Sequence, residues 1–180
     1  MLIERANLSV LVIDMQSALM PAIAEGDQLI VKMAAFLQAM TCLDVPIVVT
    51  EHCAEKIGHT VAGLPLGSAQ VVQKRSFAAT ASLSASHIAP GSQVVVVGCE
   101  AHVCVLQTVA GLIAAGRTVW VVDELVGSRF ASDRHLALAR MQHMGADRVS
   151  SEMVCFECLR SADHAKFPEL IGMIRARESD

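Results

Sequence analysis

Four consecutive valines at positions 94–97 run into Gly98, and a helical apolar pattern begins within a few residues. An unbroken β-branched run that ends at a turn residue reads as a strand buried on both faces. Such strands belong to parallel sheets with helices on two sides, because a half-exposed strand alternates polar and apolar residues. Cys104 stands where this strand gives way to the helix. In open α/β sheets ligands bind beyond the carboxyl ends of the strands, so a cysteine just past such an end is placed to be a nucleophile.

The rest of the chain alternates in the same way. Residues 8–13 (LSVLVI) read as a first strand stopping at Asp14, and residues 27–43 as a helix with Leu29, Ile30, Met33, Phe36, Leu37 and Met40 on one face. Residues 47–50 form a second strand, after which Glu51 and His52 open a loop that passes His59 and reaches Gly67. Loops of that length usually carry function, and this one lies over the same sheet edge. Residues 69–73 make a short third strand ending at Lys74, and Thr80 or Ser82 starts a helix to His87. The Cys104 helix stops at Gly116, residues 118–122 are a fifth strand ending at Asp123, and residues 147–150 a sixth. Helices over 132–144, 152–159 and 163–177 complete the pattern. This alternation predicts a parallel sheet with helices on both faces and right-handed crossovers. With no linker or repeat, residues 1–180 read as one domain.

Composition narrows the function classes. Although 53% of residues are hydrophobic, no run approaches the roughly 18–20 apolar residues that span a bilayer. The first residues lack the basic start and long apolar core of a secretory signal, which predicts a cytoplasmic protein. The apolar surplus points to a homo-oligomer with a buried contact surface. A net charge of -4, no Lys/Arg cluster and 3% aromatic residues argue against nucleic acid as partner. The six cysteines then read as thiols rather than as a disulfide framework.

Three chemistry-bearing side chains follow separate strands: Asp14, Lys74 and Cys104. In a parallel sheet all three converge at one edge. A thiol, a carboxylate able to take its proton and an ammonium together suit covalent catalysis. A helix start and a nearby ammonium both predict a depressed thiol pKa. Free backbone N–H groups between Glu100 and Cys104 are candidates for an oxyanion hole.

With these residues in hand, the sequence resembles the isochorismatase-like cysteine hydrolases, and most of all their small single-domain branch. The matching elements are Asp14-Met15-Gln16, Thr50-Glu51, Lys74 with Ser76-Phe77, the run from Gly98 through Thr108, and Ser128-Arg129 with Asp133. The resemblance implies a three-layer α/β/α, Rossmann-like fold with a six-stranded parallel sheet, and an Asp14/Lys74/Cys104 triad. It also implies a cis peptide between Cys99 and Glu100, with the N–H groups of Glu100 and Cys104 facing an oxyanion. Glu51, His52 and Phe77 become candidate walls of a pocket for a small-molecule substrate. Nicotinamidases of this superfamily carry an Asp-x-His metal motif where this chain reads Thr50-Glu51-His52-Cys53, so no metal and no cofactor are carried over. Isochorismatase itself lacks the cysteine, so Cys104 favours hydrolysis of a small amide or related C–N compound.

Other features carry blander readings. Cys155 and Cys158 form a CxxC without a second metal-ligand pair, and the competing reading makes them a redox or zinc pair. A further alternative is a catalytically idle homo-oligomeric binding protein. His52, His59 and His102 lie near the proposed edge, where polar loop residues are common, and Met33 and Met40 belong to a core face.

Overall fold

The structure, a computed structural model, describes residues 1–176. Six strands, β1 (Leu8–Ile13), β2 (Ile47–His52), β3 (Gln70–Lys74), β4 (Gln93–Cys99), β5 (Val119–Gly127) and β6 (Asp147–Val149), form one sheet. Every pairing is parallel, and the order is β3-β2-β1-β4-β5-β6. The helices are α1 (Gly26–Cys42), α2 (Ala54–Ile57), α3 (Leu106–Ala114), α4 (Ala131–His143), α5 (Ser151–Leu159) and α6 (Phe167–Ala176). Strands are added outward from β1 to β3, and the chain then returns to the centre and builds the other half from β4. The order therefore reverses between β1 and β4, which is where an α/β sheet opens its crevice.

The valine run explains the layers. Side chains alternate along a strand, so Val95 and Val97 pack with Met33, Phe36, Met40, Val154 and Leu159 under α1 and α5. Val94 and Val96 pack with Val109, Leu112, Leu138 and Met141 under α3 and α4. Neither face of β4 meets water. At its end Gly98 has φ +114°, and a Cβ there would collide with the Ile13 backbone. Only glycine lets β4 lie this close to β1, and that closeness draws the two strand ends together.

Three sequence expectations fail locally. No helix forms over residues 80–87, where the backbone makes isolated turns. The Ser84 hydroxyl bonds to Ser86 and to the His87 ring, and the Ser84 N–H donates to His87 Nδ1. Such local side-chain bonds compete with the helical ladder. The fifth strand does not stop at Asp123 but runs to Gly127, with its register against β4 shifted between Val96 and Gly98. Asp123 is tolerated inside the strand because Arg134, at 2.6 Å, and Arg148 hold its carboxylate. Lys74 is the last residue of β3 rather than a residue beyond it. The expected end of the last helix at Arg177 lies outside the described residues.

Candidate active site

β1 ends at Ile13, and the next residue, Asp14, takes φ 48°. This left-handed conformation, which aspartate tolerates better than most residues, turns the chain off the sheet and the carboxylate into the crevice. Asp14 Oδ2 accepts a hydrogen bond from Lys74 Nζ at 2.7 Å, and Asp14 Oδ1 accepts one from Thr50 Oγ1 at 2.7 Å. Lys74 Nζ also donates to the carbonyls of Ser76 and Phe77 at 3.2 and 3.0 Å. The lysine and aspartate side chains are 0% and 1% exposed, so this is a fully buried ion pair. Such a pair survives desolvation only when its remaining valences are occupied, which Thr50 and the two carbonyls accomplish.

Cys104 follows β4, the strand beside β1. The segment Ala101–Val105 is one π-helical turn that leads into α3, and Cys104 is 8% exposed within it. Its carbonyl accepts a bond from Thr108 Oγ1 at 2.7 Å, and Thr108 Oγ1 in turn accepts the Ala79 N–H at 2.9 Å. The Asp14 carboxylate and the Lys74 ammonium both act electrostatically on the thiol, in opposite directions. The expectation of a depressed thiol is overturned. Burial, followed by the negative charge of Asp14, pushes Cys104 up to about 12, and Lys74 offsets only part of this. Burial in this site thus favours the thiol over the thiolate.

The turn before Cys104 is bound to the loop after β5. The Cys99–Glu100 peptide is cis. The Glu100 carboxylate pairs with Arg129 Nε at 2.8 Å and accepts the Arg129 N–H at 3.3 Å. His102 Nδ1 lies 3.1 Å from Ser128 Oγ. Ala101 to Cys104 are the first residues of the helical turn, and within it the Val103 N–H already donates to the Glu100 carbonyl at 3.1 Å.

Residues 9–153 match the isochorismatase domain. This chain belongs to the isochorismatase domain family. The mouse isochorismatase domain-containing protein 2A is 34% identical over 165 residues, covering 90% of this chain and 80% of that protein. A solved Caenorhabditis elegans protein described as MAR1 ribonuclease superimposes with a TM-score of 0.85 at 31% identity, covering 97% of this chain and 93% of that one. The YcaC gene product of Escherichia coli, described as an octameric hydrolase of unknown specificity, has a TM-score of 0.78 at 20% identity, over 99% and 97% of the two chains. Family membership makes the chain an isochorismatase-like hydrolase at the level of the family.

The isochorismatase domain also shows what residue patterns alone did not. Thr50 and Gln16 stand in the sequence only as members of short motifs, yet Thr50 fixes the Asp14 carboxylate. Gln16 clamps the backbone of His52, accepting its N–H at 2.7 Å and donating to its carbonyl at 3.1 Å. Both signals lay in the sequence as polar residues at strand ends, but their partners are 36 residues away in the chain. Cys155 and Cys158 lie outside the matched segment, on α5, and both pack into the core beneath α1. Burial pushes Cys158 up to about 11, away from the thiolate that redox or zinc chemistry uses. Among the described residues no helix is long and apolar enough to cross a membrane.

Glu51, one residue on from Thr50, faces the other side of the sheet. It is 3% exposed and its oxygens accept from the Thr60 N–H and hydroxyl, from Gln73 Nε2 and from the His59 ring. It ties down the loop after β2 rather than lining the Asp14 crevice. Burial alone would raise its pKa, but the bonds from Thr60, His59 and Gln73 win and lower it to about 2. A carboxylate depressed on folding stabilises fully above its unfolded value near 4.5 and loses that stabilisation as pH falls through about 2. Urea titrations between pH 5 and 2 are therefore expected to show wild type losing on the order of 2 kcal/mol that Glu51→Gln does not lose, screening considered. Parallel curves for the two proteins would contradict this.

Proposed function

We propose that this chain is a cysteine hydrolase that cleaves a small amide or related C–N compound through a thioester on Cys104. The carrying observation is the buried Lys74–Asp14 pair, 2.7 Å across, whose two charges both act on the Cys104 thiol. Because the thiol rests protonated, attack and deprotonation are coupled: the S–H proton passes to Asp14 as the sulfur–carbon bond forms. The oxygen of the tetrahedral intermediate takes hydrogen bonds from the N–H groups of Glu100 and Cys104. Asp14 then returns its proton to the nitrogen as the C–N bond breaks, leaving the thioester. Water, deprotonated by Asp14, attacks the thioester and releases the acid and the thiol. Lys74 stays charged throughout and holds Asp14 in position, so every step uses groups of the chain itself.

An RNA substrate is the second reading, since the Caenorhabditis elegans relative is described as a ribonuclease. A net charge of -4 weighs against it, because phosphate binding draws on basic clusters that this chain lacks. One panel addresses both. Protein incubated with small amides and quenched in acid is expected to carry an acyl adduct on Cys104 by peptide mass spectrometry. Adducts on Cys42 or Cys53, or RNA cleavage without any adduct, would overturn the amide reading.

The same reading includes self-association. Val31, Phe130, Leu136 and Phe156 are large apolar side chains left exposed on the single chain, and the association reading rests on these together with the 53% hydrophobic composition. Light scattering is expected to return a multiple of 19.1 kDa. A particle of one chain's mass would refute it.

A further inference from the structure

The segment between β3 and β4 leaves a gap at the edge of the sheet opposite Cys104. Because the strands are parallel, Ser9 in β1, Val48 in β2 and Gln70 in β3 all stand near the amino ends. Residues 80–87 cross this half of the sheet as isolated turns instead of a helix. Ala79 and Ile88 are buried in the same core cluster as Leu11 and Val48, but Ala85, Ser86 and Ala89 carry side chains too short to fill the space beside them. A cavity of about 600 Å³ results, bounded by these three residues, the strand starts and the turn after α1 from Asp44 to Pro46. Clefts of this size hold small organic molecules.

Its lining contains a hydroxyl without a partner. Ser9 is 5% exposed, and its side chain forms no hydrogen bond with any described residue. The polar atoms that are both enclosed and unpaired are His52 Nδ1 and Trp120 Nε1, so Ser9 Oγ is not sealed in, and the little surface it keeps opens into the cavity. A buried polar group in that condition calls for a partner from outside the chain. His87, on the facing wall, accepts the Ser84 N–H at Nδ1, which leaves Nε2 as the donor of the neutral ring. Pro46, Val48 and Leu66 supply apolar surface. Among the described residues that line the cavity, Asp44 is the one carboxylate, and none is lysine or arginine. Lys166, whose ammonium pairs with Glu169, acts on Asp44 without forming an ion pair with it. The Val10 N–H donates to the Pro46 carbonyl at 2.9 Å, which keeps Ser9 beside the turn that carries Asp44.

We propose that this cavity is a second ligand site, and that it takes a small aliphatic molecule with an amine at one end and a hydroxyl at the other. The ammonium meets Asp44, the hydroxyl meets Ser9, and the chain between them lies over Val48 and Leu66. An anion is disfavoured, because the walls offer a carboxylate and no cationic side chain to offset it. The site is at the far ends of the strands from Asp14 and Cys104, so it stands whether or not Cys104 is a nucleophile.

Three probes of one chain length test the assignment. Aminohexanol, hexanediol and hydroxyhexanoate each carry a terminal hydroxyl and differ only in whether the other end is a cation, neutral or an anion. In titrations of the full chain followed by amide NMR spectra, aminohexanol is expected to bind saturably with a Kd on the order of 1 mM, ordinary for so small a ligand. The shifted amides are expected to include Ser9, Val48 and His87. Hexanediol should bind about fivefold more weakly, the upper worth of an exposed charge pair, and hydroxyhexanoate more weakly again. Asp44→Asn is expected to reduce aminohexanol to the affinity of the diol, and Ser9→Ala to weaken both about fivefold. Cys104→Ala should bind all three as wild type does. Equal binding of the three probes, or tighter binding of the acid, would overturn the amine assignment. Shifts confined to residues around Asp14 and Cys104 would move the ligand to the other edge, and no saturation with any probe would leave Ser9 to water; either result removes the site. If Ser9→Ala does not fold, as judged by thermal melting, Asp44→Asn, at an exposed position, decides the matter with the same probes.

Discussion

Replacing Cys104 by alanine is expected to reduce turnover of any amide that the wild-type protein hydrolyses by at least about 10⁴-fold, because removal of a nucleophile removes the covalent route entirely. Cys104→Ser is expected to be nearly as poor, since a hydroxyl is harder still to deprotonate. Both proteins should remain folded, because the replaced side chain is small. The pH dependence supplies an independent check. With the thiol pushed up to about 12 by burial and by Asp14, the thiol rather than the thiolate is expected to predominate at pH 7. Alkylation of Cys104 should therefore keep rising through pH 10 without a plateau, while turnover, driven by Asp14, should not follow that rise. A plateau of alkylation near pH 7 would mean a preformed thiolate and would sink the coupled mechanism. Alanine turnover within tenfold of wild type would sink the nucleophile.

The second large effect concerns the ion pair. Lys74→Met leaves the Asp14 carboxylate buried with Thr50 as its remaining donor among the described residues. Asp14→Asn leaves a buried ammonium without its counter-charge, its acceptors among the described residues being neutral: the amide oxygen and the Ser76 and Phe77 carbonyls. Each single change is expected to destabilise by about 3–5 kcal/mol, the usual cost of stranding one member of a buried pair. For a chain of this length that corresponds to a fall in Tm of roughly 10 °C. The double variant Asp14→Asn with Lys74→Met carries no buried charge and should recover most of the lost stability. Its turnover should stay as low as that of the Asp14 variant. The double-mutant cycle separates the roles, because stability follows the pairing of charges and activity follows the base. Two additive stability losses would show that the groups do not interact as their 2.7 Å contact requires.

Much of this site was legible in advance, and the reason is local. The valines at 94–97 demand a doubly covered strand whatever surrounds them, and the strand–helix alternation commits the chain to a parallel sheet. Once the strands are parallel, Asp14, Lys74 and Cys104 meet at one edge, since each closes or follows a strand. The local failures share a cause. Ser84 and His87 satisfy one another through side chains and forestall the helix over residues 80–87. Asp123 reads as a strand terminator until Arg134 and Arg148 arrive from α4 and β6 to neutralise it.

What the amino-acid order determined by itself was which elements form and which reactive side chains stand at their ends, because periodicity, turn residues and β-branching act over a few residues. The tertiary structure decided the chemical state of those side chains. The protonated Cys104 thiol, the Thr50 bond to Asp14, the turning of Glu51 away from the crevice and the unpaired nitrogen of His52 all arise from strand register and burial. Those quantities belong to contacts between residues 36 or 60 positions apart, and electrostatics in a desolvated crevice depends on distances that no local pattern encodes.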